Sequence, residues 1–315
     1  MSTSKIIFIV VVFVLSSIGF AAIMCFFYYN RSVRFSMYNT KADSHLHVYD
    51  VRDDHKLPPL DVNIHTFNLD IAKISGDLIC RNYNKMPVTR YGINGHNIIS
   101  SSLNNQNVFA TVWSDKTNIW ISFRGSIYLS EWMNNLKITQ LNYRQASKYL
   151  TNVPTCMELN QDVMIHRGFI ELYSGIKEPL YAVLNSLFNS KRKNIYISGH
   201  SLGGSVGTIF ALDLKLAGHD TVVYSFASPK IGNQEFKNMI ELHKVPVFRI
   251  NNTEDIVSST PLSVSPNFSK PSKPFFYTHC GEEHVFTDTM YSGSSNHSIG
   301  ICIKNLDNLK SYSDK

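Results

Sequence analysis

The stretch Asn194-Ile195-Tyr196-Ile197-Ser198 reads as a short apolar strand, and Gly199-His200-Ser201-Leu202-Gly203 follows it without a break. Residues 202–217 then carry a helical pattern rich in small residues, with Gly203, Gly204, Ser205 and Gly207 near its start. A strand that turns directly into a helix, with a serine at the apex and glycine on either side, admits few arrangements. The turn must be sharp enough to expose the serine Oγ, and so tight a backbone leaves little room for side chains at the flanking positions. A helix that starts at the turn also presents free N–H groups and the positive end of its dipole beside that oxygen. The five-residue pattern is short and recurs by chance; its placement between a strand and a helix is what makes Ser201 a candidate nucleophile.

The rest of the chain repeats this alternation. Residues 68–81 place apolar side chains at helical intervals. Residues 108–113 and 118–123 read as strands separated by the turn-like Ser114-Asp115-Lys116. A long helix is expected over 169–189, with Phe169, Leu172, Tyr173, Ile176, Leu180, Val183 and Leu184 along one side. Residues 222–227 and 245–250 read as further strands and 233–243 as a helix. Strands alternating with helices imply an α/β domain, a mostly parallel central sheet covered by helices.

Residues 6–29 contain no charged side chain. As a helix they would rise about 36 Å, enough to cross a hydrocarbon core of about 30 Å. The run is longer than the core of a cleaved export signal, so the expectation is one N-terminal transmembrane anchor over residues 1–30. A polar juxtamembrane stalk over 31–60 and a catalytic domain over 61–315 follow it. The net charge of +6 is concentrated at the start, since Lys5, Arg31, Arg34 and Lys41 precede the first acid, Asp43. That placement suits anionic headgroups, and no Lys/Arg block or stripe points to nucleic acid. The flanking charges do not fix which side of the membrane the domain occupies. Four cysteines (Cys80, Cys156, Cys280, Cys302) are too widely spaced to form a compact disulfide framework, and sequons begin at Asn251, Asn267 and Asn296. His45, His47, Asp50, Asp53, Asp54 and His55 lack zinc-motif spacing and read as a solvated linker, so no metal or organic cofactor is expected.

Several segments in order resemble the class 3 (fungal-type) triacylglycerol lipases of the α/β-hydrolase fold, over roughly residues 68–305. They are Ser122-Phe123-Arg124-Gly125-Ser126, Glu131-Trp132, His166-Arg167-Gly168-Phe169, the Gly199–Gly204 turn, Phe226-Ala227-Ser228-Pro229-Lys230-Ile231-Gly232-Asn233, and Arg249-Ile250-Asn251-Asn252-Thr253-Glu254-Asp255-Ile256-Val257. The resemblance implies Ser201 as nucleophile, Asp255 as the triad acid, His297 as the base, and an oxyanion hole formed by Ser126 and the backbone N–H of Leu202. Asp220 and Asp288 are rival acids, His279 and His284 rival bases, and His200 reads as a packing residue. This chain has Ser258 where the family has proline, and Ile301 and Cys302 where members often have an aromatic residue.

These roles describe acyl transfer through a covalent intermediate. Residues 127–141 place Leu129, Trp132, Met133 and Leu136 at helical spacing, and the resemblance makes them a lid over the site. The expected substrate is a lipid ester at a membrane or lipid-droplet surface. A phospholipase or lipid acyltransferase would use the same triad. From another class, an inactive relative that binds lipid or a partner would keep the fold and lose the chemistry.

Overall fold

The computed structural model describes residues 62–84, 94–99, 108–126, 139–146, 162–188, 193–267, 269–289 and 293–312. A mixed eight-stranded sheet forms its centre. In spatial order the strands are β1 (Asn94–Ile99), β2 (Val108–Ser114), β3 (Asn118–Phe123), β6 (Asn194–His200), β7 (Thr221–Phe226), β8 (Val247–Asn252), β11 (Glu282–Phe286) and β12 (Lys310–Tyr312). β3, β6, β7, β8 and β11 are mutually parallel, and antiparallel pairs close both edges. Two short antiparallel ribbons lie outside the sheet: β4 (Gln140–Asn142) with β5 (Met164–His166), and β9 (Val264–Ser265) with β10 (Phe275–Phe276).

Alternation along the strands sorts side chains onto two faces. Ile195, Ile197, Val223, Ile121 and Phe123 pack with α3 (Arg167–Leu187) and α4 (Leu202–Leu216). Tyr196, Val222, Tyr224, Trp113 and Trp120 face the other way, onto α1 (Leu69–Asn84) and α7 (Ile299–Lys304). Two further short helices, α2 (Tyr143–Ala146) and α6 (Gly293–Asn296), and the nine-residue α5 (Gln234–Leu242) complete the α-helices among the described residues, beside two single 3-10 turns at Val257–Ser259 and Leu306–Asn308. α4 is buried from Leu202 to Leu214, which explains its apolar and small composition. α3 is amphipathic, and its first turn is capped by His166, whose Nδ1 accepts the N–H of Gly168 at 3.1 Å. The three-layer α/β architecture is that of an α/β-hydrolase.

The expected transmembrane segment is corrected. No described helix is long and apolar enough to cross a membrane. The longest, α3, is apolar on one side only and carries Arg167, Glu171, Lys177 and Glu178 outside that buried side. Residues 6–29 and the 31–60 stalk, with its His and Asp cluster, lie outside the described residues. An apolar run of spanning length is a necessary condition for a transmembrane helix, not a demonstration of one. The single-pass location and the anchoring by 6–29 are therefore withdrawn.

Register places the site. Phe123 pairs with Gly199 and His200 with Phe226, while Phe286 lies beside Asn252, so the carboxyl ends of the parallel strands meet at one edge. The chain leaves β6 through Ser201, held at φ 55° and ψ −130°, with its N–H bonded to the Phe226 carbonyl at 2.8 Å. This left-handed, strained geometry is what a nucleophile turn requires. A Cβ on Gly199 would fall 2.4 Å from the Gly203 carbonyl oxygen, and one on Gly203 would fall 2.4 Å from the Arg124 carbonyl oxygen. Backbone on both sides cannot yield as a side-chain tip would. Gly203→Ala is expected to cost about 1–3 kcal/mol of stability or more. It should also push the 124–126 segment away from Ser201. A calorimetric midpoint together with esterase activity would read both effects; an unchanged midpoint would contradict the close approach.

Candidate active site

At the sheet edge, three buried side chains form a line. His297 Nε2 lies 2.8 Å from Ser201 Oγ, and His297 Nδ1 lies 2.7 Å from Asp255 Oδ2. Each comes from a different segment: Ser201 from the β6–α4 turn, Asp255 from the loop after β8, and His297 from between α6 and α7. Asp255 is fixed by its surroundings. Its Oδ1 accepts the Val257 N–H at 2.9 Å, and its carbonyl accepts the Ser258 hydroxyl at 2.8 Å. The serine that replaces the family's proline thus ties down the loop that carries the acid. Asn252 fastens the next layer: its Nδ2 donates to the Asp288 carbonyl at 2.8 Å and the Asn296 carbonyl at 3.3 Å. Its Oδ1 accepts the N–H of Asp288 at 3.1 Å, so one asparagine links the acid loop to the segment before His297.

The Arg124-Gly125-Ser126 segment runs against the nucleophile. A Cβ on Gly125 would come within 2.9 Å of Ser201 Cβ. Fully buried Arg124 pins this segment, donating from Nε to the Val108 carbonyl and from an Nη to the Gly125 carbonyl, both at 2.7 Å. Ser126 is buried beside it, and Leu202 opens α4, where first-turn N–H groups have no intrahelical acceptor.

The rivals lie elsewhere. His279 Nε2 donates to the Ser258 carbonyl at 2.8 Å, and burial, aided by the charge of Arg249, lowers its pKa to about 3. His284 stacks on Phe67 with ring centres 4.0 Å apart and sits 3.1 Å from Glu282. Asp220 pairs with Lys215, and Asp288 with Lys304 and Asn305. His200, read as a packing residue, is buried, and both of its ring nitrogens are hydrogen-bonded. Leu129, Trp132 and Met133, the expected lid positions, lie outside the described residues. The helical spacing that includes them ends inside β4, since residues 140 and 141 are strand. Cys280 and Cys302 are buried free thiols, and Cys156 is outside the described residues. Asn251 and Asn296 are buried, and Asn251 Nδ2 donates to Glu283 at 2.9 Å, so neither sequon offers a free amide in the folded domain. Among the described residues, no cluster of His, Cys, Asp or Glu has the arrangement of a metal site.

Arg124, Asn252 and Tyr83 escaped the sequence reading. Arg124 and Asn252 stood inside segments already singled out, though not as functional residues, and Tyr83 stood outside them. All three act through contacts between distant parts of the chain, for which a single sequence carries no signal.

The family described as Lipase (class 3) matches residues 120–265. The chain is 27% identical over 229 residues to the Arabidopsis thaliana protein named Phospholipase A(1) DAD1, chloroplastic, covering 62% of this chain and 48% of that one. It is also 27% identical over 200 residues to a Rhizomucor miehei protein named Lipase, covering 62% and 47%. The chain thus spans about half the length of these curated relatives. Among solved structures, a triacylglycerol lipase from Penicillium expansum superposes with a TM-score of 0.57 at 19% identity, covering 78% of this chain and 83% of the other. The Rhizomucor miehei triacylglyceride lipase gives 0.54 at 20% identity, with 74% and 94% covered. These structural likenesses speak to the fold.

Proposed function

We propose that this chain, which belongs to the class 3 lipase family of the α/β-hydrolase superfamily, cleaves carboxylic esters of lipids through an acyl-enzyme on Ser201. The observation that carries this is the buried line from Ser201 through His297 to Asp255, with contacts of 2.8 and 2.7 Å, at a serine of strained positive φ.

The steps follow from the geometry. His297 Nε2 takes the Ser201 proton as Oγ attacks the ester carbonyl. Asp255 keeps the remaining imidazole proton on Nδ1 and faces the imidazolium that forms. The backbone N–H groups of Leu202 and Ser126 bind the oxyanion, the first from the free end of α4 and the second from the segment that Arg124 pins. A single such donor is typically worth about 10²- to 10³-fold in kcat. The imidazolium then protonates the departing alcohol, and a water activated by the same histidine releases the acid.

The named activities of the relatives, a lipase and a phospholipase A(1), both cleave acyl esters of glycerolipids at an identity of 27% to this chain. Triacylglycerol is the substrate we put first, because the ordered segments of the sequence resemble triacylglycerol lipases and one relative is named Lipase; phospholipid is the second reading. The purified chain is tested with a fluorophosphonate probe, p-nitrophenyl esters of short and long acyl chains, emulsified triacylglycerol and phosphatidylcholine vesicles. Labelling of Ser201 and fatty-acid release from the emulsion are expected. Release from the vesicles alone would transfer the assignment to phospholipid. A folded chain that neither labels nor turns over any ester would be a binding protein, and the proposal would fall.

A further inference from the structure

Behind the reacting groups, a hydrogen-bonded chain joins the base to the oxyanion segment. The Gly125 N–H donates to the Tyr83 hydroxyl at 2.6 Å, and that hydroxyl lies 2.7 Å from His200 Nδ1. His200 Nε2 in turn lies 2.8 Å from the backbone carbonyl of His297. His200 is buried, and its ring centre is 4.9 Å from that of His297.

The chemistry of the acceptors fixes the direction of this chain. A carbonyl oxygen only accepts, so Nε2 must carry the proton. A neutral ring then leaves Nδ1 as an acceptor, and the Tyr83 phenol supplies its proton there while its oxygen receives the Gly125 N–H. Burial, first, and the neighbouring His297, second, hold the pKa of His200 well below the ordinary imidazole value. It therefore stays neutral while His297 takes up and releases its proton. The arrangement ties together α1 through Tyr83, the end of β6 through His200, the segment after β3 through Gly125 and the segment before α7 through His297.

We propose that His200 and Tyr83 form a positioning strut, setting the backbone of His297 at a fixed distance from the Gly125–Ser126 segment. The base and an oxyanion donor are thereby held in register across Ser201. Resting on the ester-hydrolase reading above, the inference concerns how that site is held in register and leaves its substrate open. A base displaced by about 1 Å typically costs around 10²-fold in rate. The loss should appear in kcat, because the strut acts on the backbone that carries the base and the oxyanion donor.

Tyr83→Phe, His200→Ala and His200→Gln separate positioning from simple packing. Phenylalanine keeps the ring and removes the phenol link. Glutamine can place an amide N–H near the position of Nε2 and so restore the bond to the His297 carbonyl. Each variant is titrated with a fluorophosphonate to count intact sites, and kcat and KM per titrated site are measured on a soluble p-nitrophenyl ester, alongside the thermal midpoint. We expect kcat per site to fall about 10- to 100-fold in Tyr83→Phe and His200→Ala with KM within about twofold, and to recover most of the way in His200→Gln. If the variants lose thermal midpoint and titratable sites while kcat per site stays at the wild-type value, the residues only support the fold and the inference is wrong. Equal losses in His200→Gln and His200→Ala would likewise overturn it. A wild-type chain that does not label would instead remove the hydrolase reading, and this inference with it.

Discussion

Ser201→Ala is expected to lower kcat by about 10⁶-fold, and adding His297→Ala to that variant should remove almost nothing more. The reason lies in the contact between them. His297 Nε2, 2.8 Å from Ser201 Oγ, has a catalytic task only while there is a hydroxyl proton to take. Once the hydroxyl is gone, the base has nothing to activate, so the two losses overlap instead of multiplying. Hydrolysis slowly catalysed by the oxyanion donors and by binding alone should survive in either single variant and in the double, at about 10³- to 10⁴-fold above the uncatalysed rate. Measuring kcat for both single variants and the double variant on one ester, with thermal midpoints to show that each is folded, decides the matter. Independent, multiplying losses would mean that His297 does not act through Ser201. A Ser201→Ala chain retaining more than about one hundredth of the activity would mean that the nucleophile is elsewhere.

The parts of the molecule that were legible in its sequence are those whose local pattern and tertiary environment agree. β6, α4 and β7 lie within a residue or two of where periodicity places them, because the centre of a parallel sheet is apolar on both faces and the helix above it must be small and apolar too. Ser201 was legible for the same reason: it lies between two such elements. β11 was not legible. Its sequence, Glu282-Glu283-His284-Val285-Phe286, reads as a charged loop. It becomes a strand because β8 supplies partners for its charges, with an Nη of Arg249 3.2 Å from Glu283 and Asn251 donating to the same carboxylate, while Phe67 ahead of α1 stacks on His284. No local pattern encodes contacts between residues so far apart. His297 was ranked first through family resemblance, while the contacts that orient it, from Asn252 and His200, emerge only when the ends of β8 and β6 meet the segment after α6. The transmembrane expectation failed in the opposite direction. It rested on hydropathy alone, with no tertiary partner to check it.

Asp255→Asn is the second large effect, about 10⁴-fold in kcat at neutral pH, and it follows from a neighbour outside the triad. The carboxylate of Asp255 accepts on both sides: Oδ2 faces His297 Nδ1 at 2.7 Å, and Oδ1 takes the Val257 N–H at 2.9 Å. An asparagine of the same shape has one oxygen and one NH₂ to offer these two positions. If the amide oxygen keeps the Val257 N–H, the NH₂ points at Nδ1 and makes that nitrogen the acceptor. The imidazole proton then moves to Nε2, where it faces the Ser201 hydroxyl and cannot accept its proton. If the amide turns over, NH₂ meets the Val257 N–H and leaves two buried donors opposed, at a cost of about 1–3 kcal/mol. The backbone of Val257 therefore selects the unproductive tautomer. The variant should fold with a thermal midpoint close to that of the wild type, yet hydrolyse about as poorly as Asp255→Ala, despite keeping the side-chain volume that alanine gives up. A proton spectrum that reports which nitrogen of His297 carries hydrogen would show the exchange directly. Retention of a tenth or more of the activity by the asparagine variant would show that neither the charge nor the tautomer control of Asp255 is needed, and that its buried contact with His297 serves the fold.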